Sequence, residues 1–203
     1  ILEEPHEKNL FILLTSNKSK IIDTIISRCA KFYFPNVNNK LLENFLYKQY
    51  NLDDERAKII SKICCGNISL AIELSNNFDE KVSTLINIIE LLFGNNLKKW
   101  QKFMLKIKDK RELKYYLNLV EIFIVDIITY QKIKSMDTLK FTNFKKYILS
   151  FSQKYKSENL YELIDIIYNT KKNMLENVYF PLLNSSLYLE FQKTLYSDEI
   201  KKF

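Results

Sequence analysis

Leu10-Phe11-Ile12-Leu13-Leu14-Thr15-Ser16-Asn17, then Thr24-Ile25-Ile26-Ser27-Arg28-Cys29, then Lys31-Phe32-Tyr33-Phe34-Pro35 form the stretch on which the reading of this chain turns. The first run is apolar, bounded by polar residues, and closed by Thr15-Ser16-Asn17. That is the pattern of a short strand buried on both faces. Ser19 to Ile26 reads as a short helix, and Lys31-Phe32-Tyr33-Phe34 as a second strand stopped by Pro35. Two strands do not make a stable sheet alone. The segment is therefore expected to belong to an α/β domain whose greater part lies upstream.

Beyond Pro35 the pattern is helical throughout. Asn38 or Asn39 can cap a helix carrying Leu41, Leu42, Phe45, Leu46 and Tyr50 at helical spacing. Asp53 and Asp54 can cap the next, with Ala57, Ile59, Ile60, Ile63 and Cys64 on its apolar side and Gly66 as terminator. Asn67 starts a third short helix through Leu70, Ala71 and Leu74. Further helices are expected over 79–93, ended by Gly94, and over 97–108, 110–134, 142–154, 158–176 and 181–196. The stretch 113–133 is apolar-rich but interrupted by Glu121 and Asp126, as in the central helix of a bundle. Its aromatic residues Tyr115, Tyr116, Phe123 and Tyr130 read as packing groups.

Composition narrows the function. The 203 residues contain two glycines, Gly66 and Gly94, and three prolines. A phosphate-binding loop of the Walker type needs two glycines ahead of Lys-Ser/Thr, and a dinucleotide fingerprint needs three, so neither fits in this chain. Of 31 basic residues only Arg28, Arg56 and Arg111 are arginine. The lysine, isoleucine and asparagine bias reads as drift in an AT-rich genome, which discounts the net charge of +7 as a sign of nucleic-acid contact. Cys29, Cys64 and Cys65 have no metal spacing, and the single histidine, His6, excludes a histidine zinc cluster. Small core thiols in a reducing cytosol are expected. There is no signal peptide and no apolar run of the ~20 residues a membrane helix needs. The first methionine is Met104, so the chain reads as a fragment of something longer.

Three motifs together carry a family resemblance. Leu2-Glu3-Glu4-Pro5, the run ending in Thr15-Ser16-Asn17, and Thr24-Ile25-Ile26-Ser27-Arg28-Cys29 resemble, in order and spacing, the end of the AAA+ module of bacterial clamp-loader subunits. The family pattern is L-E-E-P-P, a strand ending in T-T/S-N, then T-I-x-S-R-C. The resemblance implies a mainly α chain in three parts. Residues 1–36 would be the end of an AAA+ α/β core, 37–78 a three-helix lid bundle, and 79–203 an all-helical collar that holds the subunits of a ring together.

It also implies roles. Arg28, between Ser27 and Cys29, corresponds to an arginine finger that reaches into the ATP site of a neighbouring subunit. A guanidinium suits that task because it is always charged and its planar fork matches phosphate oxygens. Its retention in a lysine-writing chain points the same way. Asn17 takes the sensor position at a strand tip. ATP-hydrolysing members resemble one another at Gly-Ser-x-Arg-x-Ala-Leu in the lid, whose arginine touches the nucleotide. The matching stretch here is Gly66-Asn67-Ile68-Ser69-Leu70-Ala71-Ile72, with Ser69 in the arginine position. Both sensing positions, Asn17 and Ser69, therefore read as vestigial. That departure favours the stator type of subunit over the γ/τ motor.

The resemblance then implies no cofactor and no metal in this chain, with ATP bound by neighbours, and no catalytic site of its own within the DNA polymerase III holoenzyme. Its partners would be γ/τ and δ subunits through the collar, with the sliding clamp and primed DNA met by the whole complex, in the cytoplasm and away from membranes. Tyr179, Phe180, Leu183, Leu187, Tyr188, Leu189 and Phe191 are candidates for the collar interface or for its core. Asn173, Asn177 and Asn184 are similar to the asparagine-rich closing segment of such collars. Glu3 and Glu4 lack the partner base or nucleophile that acid/base catalysis requires and read as helix-surface acids. Two other readings stand beside this one: a γ/τ-type ATPase fragment, and a helical DNA-binding or adaptor module using Lys98-Lys99, Lys145-Lys146 and Lys171-Lys172 on phosphates.

Overall fold

The computed structural model describes residues 9–15, 18, 21–176 and 178–196. The chain divides into two compact units, Ile1–Asn36 and Val37–Phe203. Among the described residues there are ten α-helices and no strand, so the chain is mainly α.

The first unit contains α1, a single turn over Asp23–Ile26. The expected helix over 19–26 is thus realised in its second half, while Ser19 and Lys20 lie outside the described residues. The two strands expected at Leu10–Thr15 and Lys31–Phe34 are not formed: both segments lack regular secondary structure. An apolar run signals burial, whereas a strand exists only through a hydrogen-bonded neighbour. Here the apolar side chains stay uncovered, with Leu14 at 87% and Phe34 at 84% exposure.

The second unit holds the other nine helices. Its first three are capped by local side chains. Asn38 Oδ1 accepts from the Lys40 amide at 2.9 Å and opens α2, Asn39–Tyr50. Asp53 Oδ1 accepts from the Arg56 amide at 2.8 Å and opens α3, Asp54–Cys64. Asn67 Oδ1 accepts from the Leu70 amide at 3.0 Å and opens α4, Ile68–Ser75. Each cap occupies one of the amides a helix start leaves unpaired. The α3 terminus is tighter than a lone C′ glycine would give. Cys65 already turns left-handed at φ 48° and Gly66 follows at φ 81°. Leu42, Leu46, Ala57, Ile60, Ile63, Ala71 and Leu74 are buried as these three helices pack on one another.

The remaining elements are α5, Phe78–Leu92, α6, Leu97–Met104, and α7, Lys110–Ile133. A 3-10 turn, Thr142–Phe144, leads into α8, Lys145–Lys154. Then come α9, Ser157–Asn173, and α10, Phe180–Leu195. The central helix is α7, which packs on α5, α8 and α9. Tyr115, Tyr116 and Phe123 are buried on it, so its aromatic residues do pack. Phe123 lies 5.9–6.4 Å, centroid to centroid, from the rings of Phe93, Phe141, Phe144 and Phe151.

The end of α5 is finished by distant side chains. Leu92 carbonyl accepts from Gln192 Nε2 at 2.8 Å, Phe93 carbonyl from the Tyr155 and Tyr196 hydroxyls at 3.2 Å each, and Gly94 carbonyl from the Tyr188 hydroxyl at 3.3 Å. These carbonyls have no partner within their own helix. Glycine is required at position 94 by space: an added Cβ would sit 2.6 Å from the Glu90 carbonyl oxygen.

Asp126, which interrupts the apolar pattern of α7, is buried and bridges to the loop before the 3-10 turn. Its Oδ2 accepts from the Lys140 and Phe141 amides at 2.9 and 2.7 Å. Burial raises its pKa above the ordinary aspartate value, and the two amide donors pull the other way. A carboxylate whose folded pKa is raised contributes most below its unfolded pKa and loses that contribution as pH rises through the folded one. The contribution of Asp126 to stability should therefore decline as pH climbs from 3.8, the ordinary value. Asp126→Asn keeps an acceptor for both amides and should flatten that part of the profile, read as thermal midpoint against pH. An unchanged slope would assign the decline to other groups.

Candidate functional site

Arg28 follows the single turn α1. The Thr24 carbonyl accepts from Arg28 Nη1 at 2.8 Å and from Ser27 Oγ at 3.1 Å, while the Arg28 amide donates to Ile25 carbonyl at 3.2 Å. One of the carbonyls left over at a helix end thus receives both side chains of the Ser-Arg pair. Arg28 is exposed and Cys29 is half-buried. Cys29 lines a cavity of about 430 Å³ together with Leu13, Ile25, Ile26 and Phe32. The triplet therefore has a solvent-facing cation and an inward-facing thiol. Asn17 lies outside the described residues, as do Glu3, Glu4, His6 and Asn177.

Ser69 is exposed in the first turn of α4. It lines a cleft of about 510 Å³ with the cap Asn67, with Glu73 from α4, and with Arg111, Lys114, Tyr115 and Asn118 from α7. Reading the lid motif alone misses Arg111, because the cation comes from a helix more than thirty residues downstream in sequence. Tyr115 is buried beside this cleft. Burial, then the Glu73 charge, raise its pKa, and its hydroxyl has no hydrogen-bond partner.

Burial, with the neighbouring Cys65 adding, pushes the Cys64 thiol up to about 12. That is too high for a thiolate nucleophile near neutral pH. No group of His, Cys, Asp and Glu that could hold a metal ion occurs among the described residues. No helix among them is long and apolar enough to cross a membrane.

The structure sorts the interface candidates of α10. Leu183, Leu187, Tyr188 and Phe191 are buried in the chain's own core. Tyr179 and Leu189 are exposed, at 73% and 55%, and Phe180 is half-buried. Exposed Leu182 and Leu105 were missed by the sequence reading; Leu105 and Phe180 border a groove of about 380 Å³ between α6 and α10. The indole of Trp100, also in this groove, donates to the Asn184 carbonyl at 3.0 Å, and Asn184 is buried while Asn173 is exposed. The lysine pairs sit on three helices, α6, α8 and α9, and Lys171 is committed to Glu121 and to Asn118 Oδ1.

In sequence, the chain is similar to subunits of DNA polymerase III. Residues 1–38 match the family described as DNA polymerase III, delta subunit. More particularly, the chain is 25% identical over 201 residues to the DNA polymerase III subunit delta' of Bacillus subtilis (strain 168). That similarity covers 95% of this chain and 59% of the relative, so the chain spans rather more than half the length of the protein it matches.

Proposed function

We propose that this chain acts as a stator-type clamp-loader subunit, taking part in ATP-dependent loading of a sliding clamp onto primed DNA in the cytoplasm. In this reading residues 1–36 end an AAA+ core, 37–78 form the lid and 79–203 the collar. Arg28 extends into the ATP site of an adjacent motor subunit, and ATP itself is bound by neighbours. The observation that carries the reading is the exposed Arg28 within the 38 residues matched to the DNA polymerase III family. Ser69, in place of the lid arginine, supports a subunit that does not turn over ATP. The exposed Tyr179, Leu182 and Leu189 on α10 support a collar interface with γ/τ and δ subunits, because apolar side chains of that size outside the core mark association surfaces.

The chain should capture the helical C-terminal domains of γ/τ-type subunits in a pull-down without ATP. Tyr179→Ala with Leu189→Ala should weaken capture about tenfold or more, since both are exposed and their loss leaves the core intact. Absence of capture by a chain with the expected helical circular dichroism would remove the collar reading.

A further inference from the structure

One strongly charged strip has no part in the proposed function. Residues 95–108, which make α6 and the turn after it, hold five lysines and no acidic residue. Lys98, Lys99, Lys102, Lys106 and Lys108 are all exposed, and none forms an ion pair among the described residues. The next acids along the chain are held at the start of α7. Asp109 Oδ1 accepts from the Arg111 and Glu112 amides at 2.8 and 2.9 Å, and Glu112 Oε2 from the Lys108 amide at 2.7 Å.

The strip borders the groove of about 380 Å³ between α6 and α10. Trp100, Met104 and Ile107 line that groove and are buried. Leu105, at 87% exposure, and half-buried Phe180 line it as well. Lys108 stands in the groove wall itself. Lys98 and Lys102 come three residues before the lining residues Gln101 and Leu105, the spacing of neighbours on a helix surface. The opposite wall is Phe180, Pro181, Asn184 and Ser185, part of the stretch 178–189, which has no charged residue. The groove is therefore apolar within, cationic along the α6 side and neutral along the α10 side.

We propose that this groove docks an acidic amphipathic helix presented by another protein. A helix enters such a groove with apolar side chains three and four residues apart. Those side chains would cover Leu105 and Phe180, while carboxylates on the adjoining face meet Lys98, Lys102 and Lys108. Opposite charge on the two surfaces sets the orientation of the helix and speeds its arrival. The apolar contact supplies what the charges do not: a leucine as exposed as Leu105 beside a buried apolar lining marks an association surface. A nucleic-acid strand would use the lysines through its phosphates and leave the apolar groove unfilled. The site includes neither Tyr179 nor Leu189, so it is additional to the collar surface proposed above and does not rest on it.

Trp100 is the one tryptophan of the chain, so its emission reports on the groove. The probe is a dansyl-labelled amphipathic peptide of Leu, Ala and Glu, about 16 residues long so that it can hold a helix. Added to the 203-residue chain, it should lower Trp100 emission by energy transfer to the dansyl group. Leu105→Asp, at an exposed position, should weaken binding about tenfold or more. Lys98→Glu with Lys102→Glu should do the same and remove most of the salt dependence. A peptide with Lys in place of Glu, and one with its leucines scattered round the helix, should each bind far more weakly. No energy transfer, binding indifferent to Leu105→Asp, or equal binding of the lysine peptide would overturn the site. So would a single-stranded oligonucleotide binding more tightly than the acidic peptide at the same salt, because the strip would then serve phosphates. Capture of γ/τ-type domains is measured beside it. If Leu105→Asp lost that capture together with the peptide, the groove would belong to the collar surface and would fall as a separate site. Peptide binding by a parent chain that captures no γ/τ-type domain would remove the collar reading and support the groove.

Discussion

Arg28→Ala in the full-length protein is expected to lower DNA-stimulated ATP hydrolysis by a reconstituted clamp-loader assembly on the order of 10³-fold while leaving the assembly intact. The size follows from the role proposed for the guanidinium. A phosphoryl-transfer transition state spreads charge over oxygens, and a donor fork aimed at them acts where water has been excluded. Within its own chain Arg28 is exposed, and it bonds to the Thr24 carbonyl one turn back. Its removal should therefore leave the thermal midpoint and the sedimentation of the assembly unchanged. Arg28→Lys keeps the charge but loses the fork, and should recover only a small part of the rate. Full ATP turnover in the alanine variant would remove Arg28 from the site.

Phe123→Ala should be the most damaging substitution in the helical body. Phe123 is fully buried on α7 and touches rings from α5, α8, the 3-10 turn and the loop before it. Emptying that position removes apolar burial and leaves a cavity that four neighbouring rings cannot close, a loss of about 3–5 kcal/mol. In a chain of this size that lowers the thermal midpoint on the order of 10 °C. Phe123→Leu should cost less, because much of the volume is kept. Circular dichroism melts of both variants measure the difference, and an alanine variant melting with the parent would show that the rings repack.

What could be read from the sequence was local. Asn38, Asp53 and Asn67 cap helices because a side chain and an amide two or three residues apart suffice, and the structure uses all three. The beginnings and ends of α5 to α10 likewise fall within a few residues of the periodic pattern. What could not be read was pairing at a distance. Leu10 to Leu14 look like a strand because they are apolar, yet the partner that makes a strand is not a property of those residues. On α10, Leu187 and Leu189 are the same residue type two positions apart, and only packing decides that one is fully buried and the other 55% exposed. The candidate site shows the same division. Arg28 stands in a contiguous motif, whereas Arg111 beside Ser69 and Asp79 beside Arg56 come from other helices.

The donors that complete the end of α5 lie 62 to 103 residues later in the chain. During synthesis on the ribosome, the last turn of α5 emerges long before Tyr188, Gln192 and Tyr196 exist. The Leu92 and Gly94 carbonyls lack these donors until α10 is made, so the final closure of the body waits for the last helix. Folding of α5 to α10 is for that reason a late event governed by distant contacts, which slow closure more than neighbouring ones do. A chain cut before α10 would carry a helix whose end is never sealed, and proteolysis should find it there first.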